Sequence, residues 1–259
     1  MNRLAILPFL CAGHLFAQNI PLPPRDASAP SGDAFVQIIS SLEPSAREAA
    51  VEKEFLAREL PQARVEVLSN VHEVYGRRRE FADRRDLVFV GGFQHPPNID
   101  AVQWFVREVF PLVRAHNADI AFHVIGSKIT DEVSTLAGNG VIVHGYVEDI
   151  APFMDECRLS VAPLRYGAGV KGKVNMAMSY GLPVVATTLA VEGMHVRYGD
   201  DVADPDVLVA DAPAEFAAAI LRAYDDEALW NALSKNGLAN VSRHFSFDAA
   251  RAALQGILA

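Results

Sequence analysis

The sequence predicts an α/β protein built on a six-stranded parallel sheet with helices on both faces, preceded by a partial β-α-β segment. Three observations lead there. Short apolar runs recur at 87–90, 120–125, 141–143, 159–162, 183–186 and 207–210, separated by stretches long enough for helices or helical turns. A glycine-rich loop at 162–172 lies between one run and a helical pattern. The chain of 259 residues is 51% hydrophobic and 21% charged, which supplies a packed core and excludes a disordered or fibrous protein.

Taken in order, residues 1–32 read as a leader or linker. Arg3 followed by the apolar stretch 4–17 has the charge and core of a secretory signal, but Pro8 and His14 interrupt it and Leu15 is bulky for a cleavage site. A displaced piece of core or a leader is therefore the expectation over export, and the stretch is too short to read as a membrane span. Residues 21–32, rich in Pro, Ser and Ala, read as a linker. From 33 onward the pattern predicts a strand at 34–39, a charged helix at 44–60 and a strand at 64–68. Arg77, Arg78, Arg79, Arg84 and Arg85 then form a solvated basic connector.

Beyond the strand at 87–90, Asn98 is placed to cap a helix whose apolar face is Ile99, Val102, Phe105, Val106, Val109 and Val113. Asp100 falls in its first turn, and Pro111 predicts a kink near its end. After the sixth strand, alanine-rich stretches predict helices at 213–224, 227–245 and 247–258.

The loop at 162–172 carries the chemistry. Gly167, Gly169 and Gly172 let the backbone take positive φ and approach a ligand, and the N–H groups of the following helix then face an anion. Lys171 and Lys173 supply counter-charge, a reading favoured here over two solvated surface lysines. The strand before the loop and the strand at 183–186 after the helix put it at the carboxyl edge of a parallel sheet, where α/β proteins bind ligands.

Composition narrows the alternatives. A net charge of −9 argues against general nucleic-acid binding. Cys11 and Cys157 lack metal-type spacing, and eight scattered histidines form no His-Glu-x-x-His string, so neither a metal nor a cofactor is expected. The cysteine usage fits a reducing compartment, hence the cytoplasm. A dinucleotide-dependent oxidoreductase is disfavoured because no Gly-x-Gly-x-x-Gly follows the first strand and no acidic residue closes the second.

Five blocks in order carry a resemblance: Asp86 to Phe93 with Gly91 and Gly92; His95, Pro96, Pro97 and Asn98 opening a helix; Val141 to Val147; the glycine and lysine loop; and Gly181 to Thr187. Together they resemble the carboxyl-terminal domain of family-4-type glycosyltransferases. The resemblance implies the GT-B architecture, two Rossmann-like domains facing across a cleft, the carboxyl-terminal one binding a nucleotide-sugar donor. It implies a nucleotide-sugar-binding domain at 76–245, a remnant of the amino-terminal domain at 33–75 and a crossing helix at 246–259.

By the same resemblance, Gly91, Gly92, Gly167, Gly169, Val170, Lys171, Gly172 and Lys173 hold the donor phosphates. Tyr146 and Val147 lie in the turn that holds the base. The lysines assist departure of the nucleoside diphosphate in a metal-independent transfer with retained configuration. Family members often carry Glu-x7-Glu, the second glutamate binding ribose. Here those positions are Ala168 and Met176, with Asn175 adjacent, so Asn175 and Met176 are the ribose candidates.

Implied partners are a nucleotide sugar and a glycan or lipid-linked acceptor of envelope or exopolysaccharide synthesis, with peripheral membrane association. The short amino-terminal portion leaves open a non-catalytic nucleotide-sugar-binding half, either partnered by a separate chain or a truncated remnant. For the other polar residues the residues alone give plainer readings. His123 and His144 are packed or hydrogen-bonded strand residues, His95 a polar loop residue, and Glu192 and Asp211 solvated acids. Arg165 and Tyr166 either line the cleft or shape the loop. Met178, Trp104 and Trp230 are packing.

Overall fold

Parallel strands need long crossover connections, and every pairing between the named strands is parallel. The computed structural model describes residues 4–5, 36–40, 58, 64–68, 70–167 and 171–258. Strands β1 (Leu4–Ala5), β2 (Val36–Ser40) and β3 (Arg64–Leu68) form a small sheet in that order. The short strand at the amino terminus pairs Leu4 with Val36. The helix expected at 44–60 lies outside the described residues except for Arg58, which is helical; so does the linker at 21–32.

The main sheet comprises β4 (Arg85–Val90), β5 (Phe122–Ile125), β6 (Val141–Gly145), β7 (Cys157–Ala162), β8 (Val184–Ala186) and β9 (Leu208–Val209). Its order is β6-β5-β4-β7-β8-β9, so β5 and β6 are added on one side of β4 and β7, β8 and β9 on the other. Leu87 stands opposite Phe122 on one side and Leu159 on the other. This switch point opens a crevice at the carboxyl ends of β4 and β7, the two strands followed by Gly91-Gly92 and the glycine-rich loop.

The first crossover is one long helical run: α1 (Pro96–Trp104), a π-helical turn (Phe105–Val109) and α2 (Phe110–His116). The predicted kink is replaced by this widened turn, in which Phe110 N–H donates to Phe105 O. Pro111 needs no donor in the first turn of α2, so the helix continues to His116. The later crossovers are α3 (Asp131–Ser134), α4 (Ala151–Glu156) and α5 (Gly172–Ser179). Helices α6 (Pro213–Asp225), α7 (Glu227–His244) and α8 (Phe247–Leu258) finish the chain. Asp226 caps α7 by accepting from Leu229 N–H at 3.0 Å. Among the described residues no helix is long and apolar enough to cross a membrane.

The core holds Phe89, Phe93, Phe105, Phe122, Phe216 and Trp230, all fully buried. Each such ring contributes about 1.5–3 kcal/mol. Phe105 gathers Phe110, Phe122 and Phe216 around it at centroid distances of 4.5–6.1 Å, tying the first crossover to α6. Trp230 anchors α7, donating its indole N–H to Arg158 O at 2.7 Å, and Gly237 admits Met178 of α5, since a β-carbon there would stand 3.0 Å from Met178 Cγ.

The basic connector is not uniformly solvated. Arg77, Arg78 and Arg79 pair with Glu80, Asp155 and Glu156, but Arg84 is fully buried. It donates to Arg79 O, Met154 O and Cys157 O at 2.7–3.1 Å and lies over Trp230. Burial lowers its pKa to about 10, with Asp155 acting against the shift. The reason is topological: Arg84 immediately precedes the central strand β4, where its side chain meets the carbonyls at the end of α4 and the start of β7.

Candidate functional site

Two glycine turns and one helix start converge at the switch point. Past β4, Gly91 and Gly92 lead into α1, whose cap position is His95 rather than Asn98. Pro96 and Pro97 fill the first positions of α1, where no N–H is needed. Asn98 thereby moves inside the helix and its side chain turns to other work. Its Nδ2 donates to Gly92 O at 2.8 Å, and its Oδ1 accepts from Lys173 Nζ at 2.7 Å. Asn98 is only 7% exposed, so it is a bridge between the β4 turn and the lysine of α5.

Backbone proximity enforces the small residues here. A β-carbon on Gly91 would stand 2.9 Å from Asn98 Cγ, and one on Gly126, just past β5, would stand 1.7 Å from Gly91 O. Gly167 has φ 119° and backs onto Pro97, with a β-carbon position 3.2 Å from Pro97 Cγ. The turn after β4, the turn after β5 and the glycine loop are thus stacked within van der Waals reach.

Lys171 is 7% exposed and its Nζ donates to Gly167 O at 3.2 Å. Lys173 sits with Nζ 5.2 Å from the Phe89 ring centroid as well as on Asn98. Two ammonium groups are therefore held beside the amino-terminal turn of α5, where backbone N–H groups carry partial positive charge. Such an arrangement is chemically suited to an anion. Ala168, Gly169 and Val170 lie outside the described residues.

The remaining candidates separate. Tyr146 follows β6 and is 74% exposed, while Val147 packs partly on the core. Met176 is half-buried against the core, and Asn175 is fully buried, with neither amide atom bonded among the described residues. Arg165 shapes the loop: its Nε donates to Asp100 Oδ2 at 2.9 Å and its guanidinium lies over Trp104. That hydrogen bond raises its pKa. Asp211 is not simply solvated but accepts from Thr188 N–H and Oγ1 at 2.9 and 2.7 Å.

His123 and His144 hydrogen-bond each other at 2.8 Å, with Asp86 behind His123 at 3.5 Å. They stand on neighbouring strands, away from the glycine loop. Burial, then the charge of His123, lowers the pKa of His144. Among the described residues no group of three His, Cys, Asp or Glu side chains could hold a metal ion.

Sequence reasoning missed the bridging role of Asn98, the need for Gly126, and His72, which packs beside Gly172. Gly126 at the end of a strand carried a visible signal. Asn98 carried none, since its lysine partner is 75 residues away.

Comparison with known proteins fits this geometry. The family model for glycosyl transferases group 1 matches residues 84–226, more than half of the chain. An uncharacterized 44.6 kDa protein in the cps region of Klebsiella pneumoniae is 29% identical over 136 residues, covering 48% of this chain and 35% of that protein. The chain thus spans about a third of this relative's length.

Three solved structures share the fold. One is S. aureus TarM, crystallised with UDP, with a TM-score of 0.64 at 13% identity over 88% of this chain and 51% of that one. Another is Anabaena HepE in complex with UDP, with a TM-score of 0.62 at 15% identity over 87% and 72%. The third is sucrose-phosphate synthase from Thermosynechococcus elongatus, with a TM-score of 0.61 at 18% identity over 86% and 57%. With its six-stranded sheet, its crevice at the switch point and the family match across both, the chain belongs to the glycosyl transferases of group 1 and has the carboxyl-terminal GT-B fold.

Proposed function

We propose that this chain is the donor-binding part of a glycosyltransferase that takes a sugar from a nucleotide-diphosphate sugar. The observation that carries the reading is the Gly92–Asn98–Lys173 bridge, which fixes an ammonium group beside Lys171 at the start of α5. In this reading the diphosphate lies against Gly91, Gly92 and the loop 167–172. Lys171 and Lys173 neutralise its charge as it leaves, doing the work a metal ion does elsewhere. Val147 and the exposed Tyr146 flank the base. Transfer proceeds with retained configuration to an envelope or exopolysaccharide acceptor, for which the cps-region relative is the support.

A second reading has its own support. The chain spans 51% of TarM and 35% of the cps-region relative, so the acceptor side can belong to further sequence or to a partner chain, leaving this part a nucleotide-sugar-binding half without activity alone. Calorimetric titration with UDP, GDP and ADP, with a chelator present, tests what both readings share. Binding of one nucleotide is expected; binding of none at millimolar concentration overturns both. Assay of sugar transfer with and without added amino-terminal chain then separates them.

A further inference from the structure

Side chains near the start of α1 each hold a different part of the glycine-rich loop and the helix after it. Pro97 backs Gly167, where a β-carbon would stand 3.2 Å from Pro97 Cγ. Asn98 holds Lys173. Asp100 takes Arg165 in a fork: its Oδ2 accepts from Arg165 Nε at 2.9 Å and its Oδ1 accepts from Nη2. Trp104, at i+4 from Asp100 on α1, shares that face of the helix. It is 5% exposed, and the Arg165 guanidinium lies 5.8 Å above its ring centroid. Arg165 thus has a carboxylate on one edge and an aromatic ring on its face.

The fork falls between two fixed points. Upstream, the chain is tied to the sheet by Thr187, whose N–H donates to Ala162 O at 3.2 Å and whose Oγ1 donates to Leu164 O. Downstream, Gly167 takes φ 119° and its carbonyl accepts from Lys171 Nζ at 3.2 Å. Arg165 therefore governs how the chain leaves the sheet and enters the glycine turn. Two parallel N–H···O bonds set direction as well as distance, which a single lysine contact does not. The Arg165 and Asp100 side chains are 46% and 24% exposed, so the pair contributes little to global stability. Its effect lies in where the loop sits.

We propose that Arg165 and Asp100 are positioning residues for the donor diphosphate, their fork setting the stem of the glycine loop against α1 so that the loop and Lys171 face the phosphates. The inference rests on the reading of this loop as the donor site. It assigns Arg165 to the support of the loop and not to the ligand, since its charge is matched by Asp100 within the protein. Without the fork the ligand itself must order the loop, and affinity falls.

The test is calorimetry with UDP, or whichever of UDP, GDP and ADP the wild-type chain binds, on wild type, Arg165→Ala, Asp100→Ala, Arg165→Lys and the double alanine variant. Both single alanine variants are expected to bind about five- to tenfold more weakly, and the double variant no more than about twofold more weakly than either. Arg165→Lys keeps the charge but loses the fork, so it is expected to bind like Arg165→Ala. The Asp100→Ala result is the diagnostic one. Removing a negative charge beside an anion site would by electrostatics alone tighten binding, so a loss marks positioning. Amide hydrogen exchange in the peptide 163–173 is expected to quicken in each variant. An Asp100→Ala chain that binds as tightly as wild type or more tightly, with Arg165→Ala weakened, makes Arg165 a direct ligand of the anion and overturns the inference. Affinities of both alanine variants within about twofold of wild type overturn it as well, whether or not they melt lower. Failure of the wild-type chain to bind any nucleotide overturns the donor-site reading instead.

Discussion

Replacing Asn98 by alanine removes the bridge between the β4 turn and α5. Two hydrogen bonds go: a neutral one to Gly92 O at 2.8 Å and a charge-assisted one from Lys173 at 2.7 Å. The first is worth about 0.5–1.5 kcal/mol and the second about 1.5–3 kcal/mol, giving roughly 2–4.5 kcal/mol at a site only 7% exposed. For a chain of this size each kcal/mol lowers the melting temperature by roughly 2–4 °C, so a fall of roughly 4–18 °C is expected. Lys173 also loses this charge-assisted anchor beside the glycine loop, and weaker nucleotide binding, roughly tenfold, is expected. Thermal unfolding and calorimetry on wild type, Asn98→Ala, Lys173→Ala and the double variant measure both. The double variant is expected to fall short of the sum of the singles, because the two residues share one interaction. Additive effects, or an Asn98→Ala chain that melts within 2 °C of wild type, would refute the bridge.

Gly126→Ala places a β-carbon 1.7 Å from Gly91 O, a backbone atom, so a loss of more than about 3 kcal/mol in urea unfolding is expected; a midpoint close to wild type contradicts the stacked turns. Arg84→Met leaves the Arg79, Met154 and Cys157 carbonyls without their donor, and about 1–3 kcal/mol of destabilisation for each carbonyl left buried and unpaired is expected, where an unchanged midpoint would show that the carbonyls find other partners. His72, His144 and His244 all have lowered pKa values, burial being the main cause. The unfolded chain therefore binds more protons, and stability contributed by these rings is complete above about pH 6.5 and lost as pH falls below it. Urea midpoints at pH 7.5 and 5.5 check the sign, which a higher midpoint at pH 5.5 would reverse.

The main sheet was legible because its central strands are buried on both faces and so write continuous apolar runs, such as residues 87–90 and 159–162. The glycine loop was legible because glycine and lysine spacing before a helix is a local signal. What the sequence hid depends on distant contacts. Asn98 looks like a cap by position, but two prolines shift the helix start and free its amide for Lys173. Arg84 looks like one more surface arginine until the ends of α4 and β7 close around it. Asn175 and Met176 are neighbouring ribose candidates in the sequence, yet helical geometry buries the first fully and leaves the second half-buried. Charge composition gave no hint of the His123–His144 pair, which forms only when β5 and β6 align.

The most direct test of the donor-site account is nucleotide affinity in the purified chain with and without its two loop lysines. One of UDP, GDP and ADP is expected to bind the wild type, and Lys171→Ala combined with Lys173→Ala is expected to weaken it at least about tenfold, as loss of charge-assisted contacts requires. A double variant that binds as tightly as the wild type would contradict the account.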